Sequence, residues 1–386
     1  MGTNRAGASE QLAHRHRPLS QARPRLTGYH GSDFDGPGPF STNRVTSFLM
    51  PFPTNRTAAA APRSGAKRTV AVCLALCVGS AVLATAGATG TAGRASAAVS
   101  LGWIDVVNAY RASSGLPGIV NNASLQSGVD KHAHYLSLSG ILSHGESPSV
   151  SGYTAEGSLA AAQSVLGGWV GADHSDRDLV EGWVTAPFHL VHLLEPRLQS
   201  AAYASTHELP GAYFTSAAVL NVVGGIGPRV TLERPVLFPA DGSVVSVTTF
   251  TTETPDPLVA CPGYSAPTGL GIVAMFPNPP GRITSAITLD GQPVEHCMID
   301  ASYSSGDPSG QATVRSILTQ KNAIVLMPRR PLTPGATYEV SINGTQSVSW
   351  TFSTSLDSSV LPLPSPNPLL VRSRIKTAAS KAATKL

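Results

Sequence analysis

Apolar residues recur at helical spacing just past residue 100. Trp103, Val106, Val107 and Tyr110 fall at i, i+3, i+4 and i+7, which predicts a first helix with one buried face. Gly115-Leu116-Pro117 ends it, the glycine free to take a left-handed cap and the proline unable to continue. Asn122 or Ser124 can cap a second helix, along which Leu125, Val129, His132 and Leu136 mark one face and Gly140 closes. A third helical stretch, Ser158 to Trp169, is alanine-rich. A fourth begins near Asp178, carries Leu179, Val180 and Trp183, and breaks before Pro187. After Pro210 the runs AYFTSAAVLNVV and PRVTLERPVLF read as strands around a Gly224-Gly225 turn.

The texture changes after Gly227-Pro228. VVSVTTFTT, LGIVAMF, RITSAITL, ATVRSIL, AIVLM, TYEVSI and SVSWTFST are short runs rich in Val, Ile, Thr and aromatics, separated by turn residues. They predict an antiparallel sandwich or barrel. Asn343-Gly344 is a hairpin signal between the last two runs. The passage from Pro331 through Tyr338, followed by Trp350 and Phe352, resembles the end of bacterial immunoglobulin-like domains, with the Tyr and Trp as core residues.

The two ends have neither pattern. Residues 1–62, rich in Arg, Pro, Gly, Ser and Thr, read as a disordered leader, or as a mis-assigned start if translation begins at Met50 rather than Met1. Residues 63–97 read as a signal peptide: Arg63, Lys67 and Arg68 precede the uncharged run Thr69 to Ala86, and Ala95-Ser96-Ala97 offers a small-x-small cleavage pattern. A retained membrane anchor is the alternative, although the run is rich in Ala, Gly and Thr rather than Leu, Ile and Phe. Residues 356–386 read as a Pro-rich linker followed by a basic disordered tail.

Charge follows this division. Residues 1–97 hold 11 Lys/Arg against 3 Asp/Glu and the tail 5 against 1, which leaves residues 98–355 with 11 against 19, a net of −8. An acidic body argues against a nucleic-acid groove, which needs clustered Lys and Arg. Export removes Cys73 and Cys77 with the signal and leaves Cys261 and Cys297 in an oxidising compartment, where a disulfide is expected.

Candidate chemistry concentrates between His132 and His207, which enclose seven of the eleven histidines. Imidazoles and carboxylates ligate borderline metals and exchange protons near neutral pH. His132, on the apolar helix face, reads as a core histidine; His134 faces outward; His192, three residues beyond His189, is a reserve ligand. There is no G-x-S-x-G, and no nucleophile-base pairing is visible.

Several features in order carry a family resemblance: Asn108-x-x-Arg111, Gly115-Leu116-Pro117, the helix through His132, Ser143-His144, Ala155-Glu156-Gly157, and Trp183-x-x-Ala186-Pro187-Phe188-His189. Over about residues 101–228 the chain resembles the CAP superfamily (cysteine-rich secretory, antigen 5 and pathogenesis-related type), in particular the bacterial SCP-like extracellular proteins. The resemblance implies an α-β-α sandwich and a cleft lined by two His and two acidic side chains, in some members a divalent-metal site. His144 and His189 match the family's histidines. Glu156 falls at its Gly-Glu-Asn motif, here Ala-Glu-Gly. The second acid has no secure counterpart, with Glu146 and Glu181 as candidates.

The expected molecule is α+β: a CAP-like α-β-α sandwich over 98–228, then an all-β immunoglobulin-like sandwich over 229–355. Its expected function is non-enzymatic. The ligand-binding cleft of His144, Glu156, His189, Glu146 and Glu181 takes a small ligand, an envelope component, or a divalent metal such as Zn²⁺ on His144, His189 and Glu156. The protein is secreted or cell-wall associated and not integral to the membrane once the signal is cleaved. A metal-dependent hydrolase acting on envelope polymer or peptide, and an interaction module without a functional cleft, are the alternatives.

Overall fold

In the computed structural model, residues 101–369 and 372–373 are described. The expected leader, the signal peptide and the basic end of the tail lie outside them. The first half runs α1 (Trp103–Ser113), β1 (Val120–Asn121), α2 (Ala123–Ser139), α3 (Ala155–Ala161), β2 (Ser164–Trp169), α4 (Asp176–Thr185), α5 (Pro187–Leu193), β3 (Ser200–His207) and β4 (Ser216–Asn221). Its sheet has the order β1-β3-β4-β2, parallel only between β1 and β3.

Alternation along these strands explains how helices cover the sheet. Leu166, Ala202, Ala204, Ala217 and Val219 cluster with Val129, Ala133 and Leu136 of α2 and Ala160 of α3. Their neighbours Val165, Ala201, Tyr203, Ala218 and Leu220 belong to a second cluster with Val106 and Tyr110 of α1, Val180 and Trp183 of α4, and Leu190 of α5. A period of two sends successive side chains to opposite faces, so one strand set serves both helix layers. Trp103 stacks on Tyr203 at 5.4 Å, and the Trp183 indole N–H donates to the Leu166 carbonyl at 3.0 Å.

The second half is strand-rich: β5 (Val230–Thr231), β6 (Val236–Phe238), β7 (Ser243–Val245), β8 (Thr249–Phe250), β9 (Thr268–Gly269), β10 (Ile272–Met275), β11 (Thr284–Leu289), β12 (Gln292–Pro293), β13 (His296–Ile299), α6 (Pro308–Lys321), β14 (Ala323–Pro328), β15 (Thr337–Asn343), β16 (Val348–Thr354) and β17 (Arg372–Ser373). Two sheets dominate, ordered β13-β14-β10-β6 and β12-β11-β15-β16-β7. Tyr338 and Trp350 are buried in the core, and β15 and β16 pair antiparallel around Asn343-Gly344. Cys261 and Cys297 form a disulfide with Cα atoms 5.6 Å apart.

Local chemistry accounts for the helix ends. The Asn122 side chain accepts the Ser124 N–H at the start of α2, and Gly140 takes φ +67° at its end. Three elements differ from the sequence expectation. The alanine-rich stretch from Ser158 stops being helical after Ala161 and becomes β2, because Gly167 and Gly168 favour no helix and lie against the Trp169 and Phe214 rings, where a Cβ would collide. ATVRSIL is part of α6, not a strand: Asp307 caps Ser309 and Gly310, Pro308 takes the first turn, and Val314 and Leu318 face inward at i, i+4. The chain also re-enters a helix at Pro187, forming α5.

The large cluster of the first half continues without a break through Phe238, Ile272 and Val325 of the second. Tyr110 meets Phe238 with ring centroids 6.0 Å apart, and Phe188 of α5 meets Tyr303 edge-on at 5.9 Å. The Pro-rich segment after β16 returns to α1: Ser365 N–H donates to Ala112 O, Leu369 N–H to Gly115 O, and Leu369 is buried.

Candidate functional site

The loop carrying His144 is held by the buried pair His132 and Glu146. The His132 ring lies with Nδ1 2.9 Å from Glu146 Oε1 and Nε2 3.1 Å from the Ser143 carbonyl oxygen. Both neighbours are acceptors, so making both bonds requires one more proton than a neutral imidazole beside a carboxylate carries. Burial lowers the His132 pKa, while Glu146 pulls it back up. The other oxygen, Glu146 Oε2, accepts the Thr154 N–H at 2.7 Å, and the Ser158 hydroxyl accepts the Glu146 N–H at 3.1 Å. Glu146 is therefore a structural acid that ties α2, the loop and the start of α3 together.

His144 keeps an exposed edge, and its Nδ1 sits 3.2 Å from the Ala161 carbonyl oxygen, which makes Nδ1 the protonated nitrogen. Desolvation lowers its pKa, and nearby His189 lowers it further. His189 enters from the first turn of α5. The N-cap of that helix, Ala186, has no side chain to offer the free backbone donors. Glu253 from the strand-rich half does so instead. Its Oε2 accepts the Phe188 N–H at 3.1 Å, and its Oε1 accepts the His189 N–H at 2.8 Å and lies 2.5 Å from His189 Nδ1. The Glu253 side chain has no exposed surface, whereas that of His189 keeps 19%.

His192, one turn on, is close enough for both other imidazoles to influence it. Burial first, then Lys321 and His189, take its pKa down to about 3, so it stays neutral. Beyond it, the carbonyls that end α5 converge on Arg111. This buried guanidinium donates to Leu193 O at 2.6 Å, Glu195 O at 3.0 Å, Leu198 O at 3.1 Å and Pro117 O at 3.0 Å. Desolvation lowers its pKa to about 10 against the opposing pull of Glu195, so it remains a cation at neutral pH. Lys321 of α6 pairs with Glu195, as does Arg197 at 2.7 Å. Burial would raise the Glu195 pKa, but these two cations take it down to about 2. Asn108, the other residue of the Asn-x-x-Arg motif, is also scaffolding: it bonds both backbone groups of Ile119.

The structure thus brings His144, His189 and His192 into one neighbourhood and places the sequence-selected acids elsewhere. Glu156 is exposed, turned to Lys131 of α2, whose hydrogen bond holds it below the usual carboxylate range. Glu181 accepts from the Tyr110 hydroxyl at 3.0 Å and Arg177 Nε at 3.1 Å; burial raises its pKa against the pull of Arg177. Among the described residues neither His144 nor His189 is hydrogen-bonded to Glu146, Glu156 or Glu181, and no three His, Cys, Asp or Glu side chains are grouped as a metal site. Glu253 is the carboxylate that sequence reasoning missed. It is one of two acids in TTETPD, 64 residues from its partner, with no local signal pointing to α5. A shallow hollow of about 390 Å³ on the second sheet, lined by Asp241, Thr288, Glu339 and Trp350 among others, includes no histidine.

Residues 104–218 match the family model of the cysteine-rich secretory protein family, CAP, so this part of the chain is a CAP domain, followed by a strand-rich C-terminal region. No curated protein matches the chain.

Proposed function

We propose that this is an exported, non-enzymatic CAP protein of the bacterial type whose His144/His189 site binds a small polar ligand or a divalent cation at the cell envelope. The observation that carries the reading is the shared state of the two rings. Each has Nδ1 engaged by a protein acceptor, Ala161 O for His144 and Glu253 for His189, which leaves Nε2 as the nitrogen for a ligand. Two imidazoles fit half of the roughly four ligands zinc takes. Glu156, the acid the family resemblance pointed to, is turned to Lys131 instead, so water would supply the rest; bound there, Zn²⁺ would act as a Lewis acid.

In this reading the three layers of the CAP domain are an α-β-α sandwich, and the strand-rich region is an immunoglobulin-like sandwich that spaces or docks the site. The disulfide and the CAP domain support export, and among the described residues no helix is long and apolar enough to cross a membrane. Calorimetric titration of Zn²⁺ into the protein and into a His144→Ala/His189→Ala variant tests the site. Saturable heat in the first that is lost in the second is expected; no heat in the unmutated protein would sink the metal reading. Turnover of envelope polymer or peptide by the zinc-loaded form would instead favour a metal-dependent hydrolase on the same residues.

A further inference from the structure

The carboxylate that fixes His189 comes from beyond the matched domain. We propose that Glu253 is a positioning residue of the histidine site: it sets the tautomer and ring orientation of His189, so that the site is a composite of the CAP domain and the strand-rich region. The role for ligand binding rests on the function proposed above; the tautomer does not.

Three observations support it. First, Glu253 is a fully covered carboxylate, and its hydrogen-bond partners among the described residues all lie in the first turn of α5: the Phe188 N–H, the His189 N–H and His189 Nδ1. A buried carboxylate needs donors, and the positive end of a helix supplies two that this helix's own N-cap leaves unmet. The acid and the helix start therefore satisfy each other, which holds the carboxylate in one place.

Second, an ionised carboxylate only accepts. At 2.5 Å it requires a proton on His189 Nδ1, which in the neutral ring leaves a bare lone pair on Nε2. A ring without this partner is free to exchange tautomers. His144 reaches the same state through a backbone carbonyl, which no side-chain substitution removes. The two histidines are thus prepared alike by different means, one from inside the CAP domain and one from outside it.

Third, the same region grips α5 elsewhere along its length. Lys321 pairs with Glu195 just past the helix end, Phe188 packs on Tyr303, and a Cβ on Gly271 would lie 3.2 Å from Pro187. The helix carrying His189 cannot turn relative to the strand-rich region without breaking these contacts.

The test is two-bond ¹H–¹⁵N imidazole spectroscopy on the full chain with labelled histidine, above the pH at which histidines titrate. The unmutated protein should show His189 protonated on Nδ1. In Glu253→Ala, which removes both acceptor oxygens, His189 should lose that single tautomer while the His144 signal stays unchanged. Zn²⁺ affinity should fall about 10–100-fold, as for other partners of ligating histidines. His189 carrying its proton on Nε2 in the unmutated protein would overturn the proposal without any variant, so a misfolded Glu253→Ala would not shelter it. An unchanged His189 tautomer in a folded Glu253→Ala would overturn it equally. An Nδ1-protonated His189 in a protein that binds no Zn²⁺ would refute the metal reading and leave the positioning role standing.

Discussion

Gly157 shows how one missing side chain organises the loop around His144. A Cβ at this position would lie 2.3 Å from Glu146 Oε1 and 2.7 Å from Thr154 Oγ1. Glu146 cannot swing aside, because His132 and the Thr154 N–H hold its two oxygens. This explains why the chain reads Ala-Glu-Gly where its resemblance to the CAP family led one to look for Gly-Glu-Asn: the room for an asparagine is occupied by a second, buried acid. Gly157→Asn should therefore destabilise the protein by about 1–3 kcal/mol through overpacking. In a Glu146→Ala background the same change should cost measurably less, a coupling that urea unfolding of the four proteins in the cycle would read. Additive losses would mean that Glu146 is not the obstacle.

At the scale of elements, α5 decides the site. A carboxylate, Glu253, lies at its N-terminus, and the cations Arg111 and Lys321 lie around the carbonyls and the Glu195 side chain that follow its C-terminus, the arrangement a helix dipole favours. His192, partly buried in this helix, is desolvated enough to take its pKa down to about 3 from an ordinary 6.5. A depressed histidine pKa means that the unfolded chain binds the proton first. Stability is then full above about pH 6.5 and falls as the pH drops towards 3. His192→Gln should flatten that part of the acid limb in chemical denaturation at stepped pH; an unaltered slope would show that the fold does not hold His192 neutral. Much of this element was legible in the sequence only as an end: Pro187 marked a break after α4, and proline serves equally as a first helical residue. The apolar faces of α1 and α2 were readable because four or more positions repeat at helical spacing. β3, SAAYASTH, escaped because Ala and Ser carry no strand preference, and its place comes from pairing with β4. α6 was misread because its Val and Ile outweighed the Asp307-Pro308 start signal.

At the scale of the molecule, the histidines and Cys261–Cys297 could be picked out in advance because their chemistry is written in residue type. The partner of His189 could not, because contact between residues 64 apart is a product of the fold. The disulfide closes a loop with a sequence separation of 36, within the same strand-rich region that delivers Glu253. Replacing both cysteines with alanine should lower stability by about 4 kcal/mol in the chain-entropy account. If that region positions α5, mild destabilisation should also loosen the His189 end of the site before the His144 end, which hydrogen exchange at the Phe188 and His189 amides would report. The most direct test of the central claim follows the imidazole nitrogens during a Zn²⁺ titration of the full chain. The account predicts that Nε2 of His144 and Nε2 of His189 shift together and saturate at about one equivalent, as ligands of one ion do. Shifts confined to exposed histidines such as His134 or His207, with both of these resonances unmoved, would contradict it.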